Sequence, residues 1–534
     1  MRRLVMIAIG VAVLAGCGHR RNDDKMIFRY NESAGITTLD PAFAKNQSMT
    51  WACRQLYNGL VQLDTGLEVR PCIAKRWEIS NGGMEYRFTL RDDVWFHKDA
   101  LLGSDSTRRV TAEDFVYSLG RLTDPAVASP GAWIMREVEG MEAEDDTTLT
   151  IRLKEPFAPF LSQLGMVYCS VVPREVVEKW GKDFRSHPCG TGPFQFQYWK
   201  EGVKLVLRKN AHYFERDDDG SPLPYLDAVA VTFIIDKQTA FLEFMKGNLD
   251  FMNSLDASYK DEILNRDGTL KEKYAGTIDL VSTPFLNTEY LGFNMESDGY
   301  GLKATSFRKL RQAVSCGFDR RKMMQYLRNN IGAPGTGGFI PKGLPGYSEC
   351  GYEYDAERAR KLLAEVKKEN GGELPKLKLS TTANYVDLCK YIQQQLGLLG
   401  LEIEVDVNPP AALSEQVAQG KTGWFRKSWV ADYPDAENYL MLFYGPNRTP
   451  AGPNYTRLDN KKIDKLYEKL RRETDGERRE ELMREMDRAV MEEAPVVVLY
   501  YDQVLHFTHK GVTGLRSDAM NTLDLRRVKK KLHN

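Results

Sequence analysis

The sequence is poor in the groups that metal, redox and charge-driven functions need. Its 534 residues include seven histidines and eight cysteines, and no two cysteines stand in C-x-x-C spacing, which excludes a zinc-ribbon or thioredoxin-like motif. Lys plus Arg and Asp plus Glu number 74 each, for a net charge of zero, so no net field recruits nucleic acid. The basic run from Arg526 to Lys531 is short and reads as a solvated tail. Beyond the amino-terminal leader no stretch approaches about 18 apolar residues, which excludes a membrane-crossing helix in the mature chain. Internal repeats and low-complexity linkers are lacking too, and with 42% hydrophobic and 10% aromatic residues disorder is excluded as the main state. The length allows three or four domains.

What is present begins with that leader. Arg2 and Arg3 precede an apolar run from Leu4 to Val13, followed by Leu14-Ala15-Gly16-Cys17. This is the pattern of a secretory signal, and about ten apolar residues are too few to span a bilayer. The Leu-Ala-Gly-Cys ending is similar to the lipobox of bacterial lipoproteins, which implies cleavage before Cys17 and a diacylglyceryl group on its sulfur. A plain signal peptide with a chance cysteine is the alternative. Residues 18–25 then form a polar tether, and the mature protein is expected to be anchored to a membrane, facing the periplasm or cell exterior. Seven cysteines remain: Cys53, Cys72, Cys169, Cys189, Cys316, Cys350 and Cys389. An odd number outside the cytoplasm leaves at least one thiol free. Cys169 and Cys189 are the expected bridge, because both flank a segment between two predicted strands.

The most informative stretch is Arg426-Lys-Ser-Trp429-Val-Ala-Asp432-Tyr-Pro-Asp435-Ala-Glu-Asn438-Tyr. Read as a strand, it places residues 426, 428, 430 and 432 on one face. Pro434 keeps Tyr433 out of a helix, and Asp435 is expected to cap a helix beginning near Ala436. Six residues at about 3.3 Å each separate the Arg426 and Asp432 backbones by roughly 20 Å, which leaves room for about three extended residues between the side chains. A short peptide fits that space, with its amino terminus at Asp432, its carboxylate at Arg426 and its backbone paired with the strand. An ordinary ion pair of a buried strand is the other reading.

Elsewhere the pattern is mixed α/β. Tyr86–Leu90 and Leu149–Leu153 alternate as strands, and Thr111 opens a capped helix. Phe307, Leu310, Ala313 and Val314 fall at helical spacing, as do Ile463, Leu466, Tyr467 and Leu470. Asp355 caps a helix that Gly371 ends. Strands and helices alternate without a strict βαβ period, which predicts mixed sheets and chain crossings between lobes.

The order of motifs is then identifiable. Leu39-Asp40-Pro41, Leu90-Arg-Asp-Asp-Val-Trp-Phe-His97, Val110-Thr-Ala-Glu-Asp-Phe-Val-Tyr-Ser-Leu119, Gly190-Thr-Gly-Pro-Phe194, Arg208-Lys-Asn-Ala-His-Tyr-Phe214, Phe244-Met-Lys-Gly-Asn-Leu-Asp250, Arg311-Gln-Ala-Val-Ser-Cys-Gly-Phe-Asp-Arg320 and Ala494-Pro-Val-Val-Val-Leu-Tyr-Tyr501 follow one another as in the family 5 extracellular solute-binding proteins. These are the peptide, dipeptide and nickel receptors of ABC importers. The resemblance covers about residues 26–530. It implies an α/β, two-lobed periplasmic-binding-protein fold, class II-like, with mixed sheets and an additional domain. Lobe I would comprise residues 26–58, 190–284 and 506–534, domain II residues 59–189 and lobe III residues 285–505, with hinges near 284 and 505. In the oligopeptide-binding members the Asp of the W-x-x-D-Y motif holds the ligand ammonium, here Asp432. The Arg six residues earlier, here Arg426, receives a tripeptide's carboxylate. The backbone of Trp429, Val430 and Ala431 would pair with one side of the ligand, and that of Ala44, Lys45, Asn46 and Gln47 with the other.

Some positions depart from that pattern. Lys45 stands where some members carry an acidic residue, so it either favours acidic ligands or points to solvent. Tyr500 and Tyr501 either offer a hydroxyl to ligand or pack a strand end. Catalysis has little support: Ser306-Phe-Arg-Lys309 matches S-x-x-K, but Ser306 sits where a helix cap belongs. His506 and His509 lack a carboxylate partner for a metal, and Gly332–Gly338 lacks the Lys-Ser/Thr of a phosphate loop. The expected protein is therefore a monomer that needs no metal or cofactor, binds peptides of about two to five residues and passes them to an ABC permease with its ATPase subunits. The same fold also serves nickel chelates, haem and oligosaccharides, for which Trp424, Trp429 and Tyr433 would stack on a sugar. An extracellular serine hydrolase using Ser306 and Lys309 is the remote alternative.

Overall fold

Two long strands carry the architecture. Ile278–Phe293 has 16 residues and Val496–His509 has 14, and they pair antiparallel from Ile278 opposite His509 to Gly292 opposite Val496. The ladder breaks register between Pro284 and Thr288, as it must where proline removes a donor. The computed structural model describes residues 25–255, 259–297 and 299–531, so the leader and Cys17 lie outside the described residues. Around this pair an eleven-stranded mixed sheet forms. On one side it continues through Trp424–Val430, Leu377–Thr381 and Ile403–Val407. On the other it continues through Phe251–Asn253, Ile27–Asn31, Ala228–Thr232, Lys204–Lys209 and Phe194–Lys200, and the short strand Ala333–Pro334 pairs with Val496–His509 at Tyr501 and Tyr500.

Apolar packing follows the two ends of that sheet. One core cluster runs from Phe28 through Leu56, Phe88 and Phe115 to Leu525, and Phe241, Phe244, Ile278 and Phe507 form a smaller one beside it. At the other end the sheet is covered on both faces. Tyr290, Phe425, Tyr439 and Val498 pack on one face, and Leu291, Phe293, Trp424 and Leu499 pack on the other. A separate antiparallel sheet of Ala74–Ser80, Glu85–Leu90, Thr148–Leu153 and Val138–Asp145 lies within residues 59–189. Among the described residues no helix is long and apolar enough to cross a membrane.

The periodic segments fold as their patterns require. Thr111 and Asp114 close a capping box on the helix Ala112–Thr123. Asp355 accepts from the Arg358 N–H at the start of Ala356–Glu369, and Lys461–Arg472 buries Ile463, Leu466, Tyr467 and Leu470. Three local expectations are corrected. Ser306 is not a cap: the helix Ala304–Cys316 starts earlier, with Lys303 in the cap position, and the buried Ser306 hydroxyl donates to Glu369 of the neighbouring helix. Asp435 caps from one residue further out, accepting from the Glu437 N–H at 2.8 Å, while Arg479 holds its carboxylate in a fork. All seven cysteines after Cys17 are free, so Cys169 and Cys189 form no bridge. Cys169 donates to the Gln163 carbonyl and Cys189 to the His97 carbonyl.

The Gly190-Thr-Gly motif marks a close backbone approach. The Gly192 N–H donates to the Leu56 carbonyl at 2.9 Å and the His97 N–H to the Gly190 carbonyl at 2.6 Å. A Cβ at Gly190 would lie 2.2 Å from the Leu56 oxygen, and one at Gly192 would lie 2.4 Å from the Leu56 carbonyl carbon. These are backbone atoms that no side-chain rotation can clear. Gly192→Ala is therefore expected to cost about 2 kcal/mol or more, read as a lower denaturant midpoint; an unchanged midpoint would show that the turn relaxes freely.

Candidate functional site

The strand Trp424–Val430 has one paired edge and one largely open edge. It pairs with Ile278–Phe293 over its whole length, but Leu377–Thr381 meets it only at Trp424 and Phe425. Ala431 donates to the Leu286 carbonyl and Asn294 to the Gly423 carbonyl. These two bonds fix the alternation, so residues 425, 427 and 429 point their backbone groups at the neighbouring strand. The N–H and C=O groups of Ser428 and Val430 therefore face the open edge. An extended ligand can add there as a strand, with the backbone supplying affinity and the flanking side chains specificity.

Asp432 stands where this edge ends. Its carboxylate is solvent-accessible, and its partner is the Asn438 side-chain amide, at 3.4 Å. No cation pairs with it among the described residues. Desolvation by the surrounding protein pushes its pKa up, and the Asn438 hydrogen bond partly offsets this. The Asp432 charge also raises the pKa of Tyr168, Tyr439 and Tyr455, though burial is the larger cause in each. Tyr168 belongs to residues 59–189, so the carboxylate lies near that part of the chain. The same two parts meet where the Trp133 and Tyr433 rings lie 6.1 Å apart and where Arg471 pairs with Glu137 at 2.7 Å. Asn438, which sequence reasoning missed as a site residue, is fully buried. Its amide oxygen accepts from the Trp429 indole at 2.9 Å and the Asp432 N–H at 3.1 Å, which fixes both residues.

Arg426 is differently placed from the expectation. Its guanidinium pairs with Glu289 and lies 3.2 Å from the Tyr385 ring centroid. Glu289 also accepts from Asn287, and Asp502 pairs with Arg328 close by. Burial pushes the Glu289 carboxyl up and the Arg426 charge pulls it back. For Arg426 burial opposes the charge, and Glu289 more than compensates. Glu289 thus meets the expected carboxylate receptor through one guanidinium nitrogen, while the buried Arg426 Nε has no hydrogen-bond partner among the described residues.

Other expected residues also have internal work. Ala44 is buried and follows the short turn Pro41–Phe43; Asn46 caps the helix Gln47–Leu56 by accepting from the Met49 N–H. Lys45 and Gln47 are exposed at that helix start. The segment is thus a helix entry. The Tyr500 ring lies under Arg328, 4.2 Å from its guanidinium carbon, and Tyr501 donates to the Gly338 carbonyl at 2.6 Å, so the packing reading holds for both. Trp424 is buried and stacked on Phe293, and the buried Tyr433 donates to Glu437; of the three aromatics expected to stack on a sugar, Trp429 alone remains partly accessible. Lys309 lies between Glu365 and Glu369 at 2.8 and 2.6 Å, and hydrogen bonds to them raise its pKa. A lysine so held stays protonated and is no general base for Ser306. His506 pairs with Asn521 and His509 with the Phe244 carbonyl. A cavity of about 590 Å³ lies elsewhere, lined among others by Arg54, Asp93, Glu215 and Arg526, and includes no residue of the 424–432 segment.

Two sheet ends joined by two crossing strands make a two-lobed α/β molecule, with an open strand edge beside a carboxylate that no cation pairs among the described residues. The chain belongs to the bacterial extracellular solute-binding proteins, family 5, whose middle-region model matches residues 68–451. It is thus an exported solute-binding protein that serves a transporter. It is 25% identical over 517 residues to the glutathione-binding protein GsiB of Escherichia coli K12, covering 96% of this chain and 95% of the relative. Among solved structures, it is similar to the periplasmic binding protein DppA of Helicobacter pylori in complex with the peptide STSA, at 23% identity and TM-score 0.78 over 96% and 99% of the two chains. It also resembles HbpA2 of Haemophilus parasuis, at 22% identity and TM-score 0.80 over 95% and 100%.

The Arg426–Glu289 pair yields a prediction about stability. Removing one partner leaves the other charge buried, so Glu289→Gln or Arg426→Ala is expected to cost about 3 kcal/mol in chemical denaturation. The double change Arg426→Met with Glu289→Leu should recover most of it. Equal losses for the single and double variants would show that packing, not charge, is at stake.

Proposed function

We propose that the protein is a lipid-anchored receptor for short peptides that delivers them to an ABC permease and its ATPase subunits. The observation that carries this reading is the pairing of an open strand edge at Ser428 and Val430 with the cation-free carboxylate of Asp432. A peptide backbone satisfies the edge, and its α-ammonium satisfies Asp432. Backbone pairing is indifferent to side-chain identity, so peptides of about two to five residues with a free amino terminus are the expected ligands. The glutathione-binding relative and the peptide-bound neighbour support a peptide-type ligand. Because Glu289 holds Arg426, the three-residue ruler from Asp432 to Arg426 is not part of this proposal. Closure would bend the two crossing strands where their ladder breaks, between Pro284 and Thr288. Cys17 would carry the lipid.

The test is calorimetry with trialanine. Asp432→Asn keeps the shape but removes the charge that compensates a buried ammonium, and is expected to weaken binding by about 3 kcal/mol or more with little change in folding. N-acetyl-trialanine should fail on the unaltered protein for the same reason. Undiminished binding in either arm would remove Asp432 from the site.

A further inference from the structure

Two neighbouring residues of the site strand are cations, and only one is neutralised. Arg426 has Glu289. Lys427 lies on the opposite face and has neither a carboxylate within ion-pair distance nor a hydrogen-bond acceptor among the described residues. Its Nζ instead lies 3.9 Å from the centroid of the Tyr455 ring. The groups that pack around it are Tyr290 from the paired strand, Tyr455 from the loop before the Lys461–Arg472 helix, and Arg426 of its own strand. None of them is an anion at neutral pH. Burial, and then the Arg426 charge, push the Lys427 amine down to about 8.

Burial along this face changes where the strand leaves the core. Phe425 and Tyr290 are about 1% exposed, whereas Lys427 and Trp429 are only partly buried. Trp429 is tied through Asn438 to Asp432, and Tyr455 lies near enough to Asp432 to feel its charge. Lys427, Tyr455, Trp429 and Asp432 therefore form one wall, with an uncompensated cation at one end and an uncompensated anion at the other. Five residues at about 3.3 Å span roughly 16 Å of backbone between the charges, a distance that the side chains shorten to a few ligand residues. A half-buried ammonium held over an aromatic face gains from the ring quadrupole, but still lacks a counter-charge.

We propose that Lys427 receives a ligand carboxylate, so that the preferred cargo is a peptide that carries a free carboxylate a few residues from its ammonium. This rests on the peptide reading of the same cleft and names the ligand class within it. The carboxylate is either the peptide's own terminus or an acidic side chain directed to the Trp429 face. The chemistry at Lys427 is the same for both.

Titrations separate the two sources. Trialanine is compared with its C-terminal amide, and Ala-Glu-Ala with Ala-Gln-Ala, on the unaltered protein and on Lys427→Met and Lys427→Arg. The unaltered protein is expected to prefer the charged member of at least one pair by tenfold or more. Lys427→Met should abolish that preference while changing affinity for the uncharged member by less than threefold, and Lys427→Arg should retain it. If both pairs bind equally to the unaltered protein, or if Lys427→Met keeps the preference or weakens all four peptides alike, Lys427 is not the receptor and the peptide reading still stands. If the unaltered protein binds none of the four, the peptide reading falls and the assignment of Lys427 falls with it.

Discussion

The antiparallel pairing of Ile278–Phe293 with Val496–His509 is the constraint on which the rest depends. One ladder reaches from the cluster around Phe507 to the cluster around Leu499, so both ends of the molecule share a continuous backbone hydrogen-bond network. A ladder of this kind resists shear but bends where bonds are missing. Its register breaks around Pro284, and Thr288 and Glu289, just beyond the break, lie opposite Tyr501 and Tyr500. The same strand, Ile278–Phe293, carries Glu289 and Tyr290 side by side. It therefore sets the electrostatics on both faces of the neighbouring site strand, as well as linking the lobes.

Strand alternation then separates two cations that are adjacent in sequence. Arg426 points to the face where Glu289, Tyr385 and Tyr500 enclose it. Lys427 points to the face of Trp429 and Tyr455. A one-residue shift in register would exchange them and leave a guanidinium in the cleft and an ammonium beside Glu289. The buried pair contributes little net stability, because desolvation of two ions offsets most of their attraction. Its physical effect is to make a shifted register expensive.

Much of the fold was legible in the sequence, because the relevant signals are local. Alternation marks Glu85–Leu90 and Thr148–Leu153, and caps at Thr111 and Asp355 mark helix starts. The position of Asp432 past the end of the site strand was less so: the strand stops at Val430, two residues before Asp432, rather than running up to Tyr433 before Pro434. The partner of Arg426 was not legible, since Glu289 lies 137 residues earlier in the chain and nothing local announces it. Asn438 gave a weak signal: an amide six residues after Asp432 in the turn that Pro434 starts. Ser306 misled because a serine before an apolar stripe has the composition of a cap, whereas its hydroxyl is drawn to Glu369 on a separate helix. Cys169 and Cys189 misled because spacing says nothing of where two thiols point.

The pairing of Arg426 with Glu289 is compatible with the proposed peptide reading. A cleft lined by free cations and anions at both ends would pay desolvation for each on closing, with or without cargo. Pairing Arg426 internally removes one such charge from the empty site. Asp432 and Lys427 are then the charges left to be satisfied on this wall, and they carry opposite signs. Closing over an empty cleft would leave both without a counter-charge, whereas closing over a ligand that carries an ammonium and a carboxylate would compensate both. On the proposed peptide reading, ligand charge would be a condition for closure as well as for affinity, and discrimination would come from the penalty of closing on the wrong molecule.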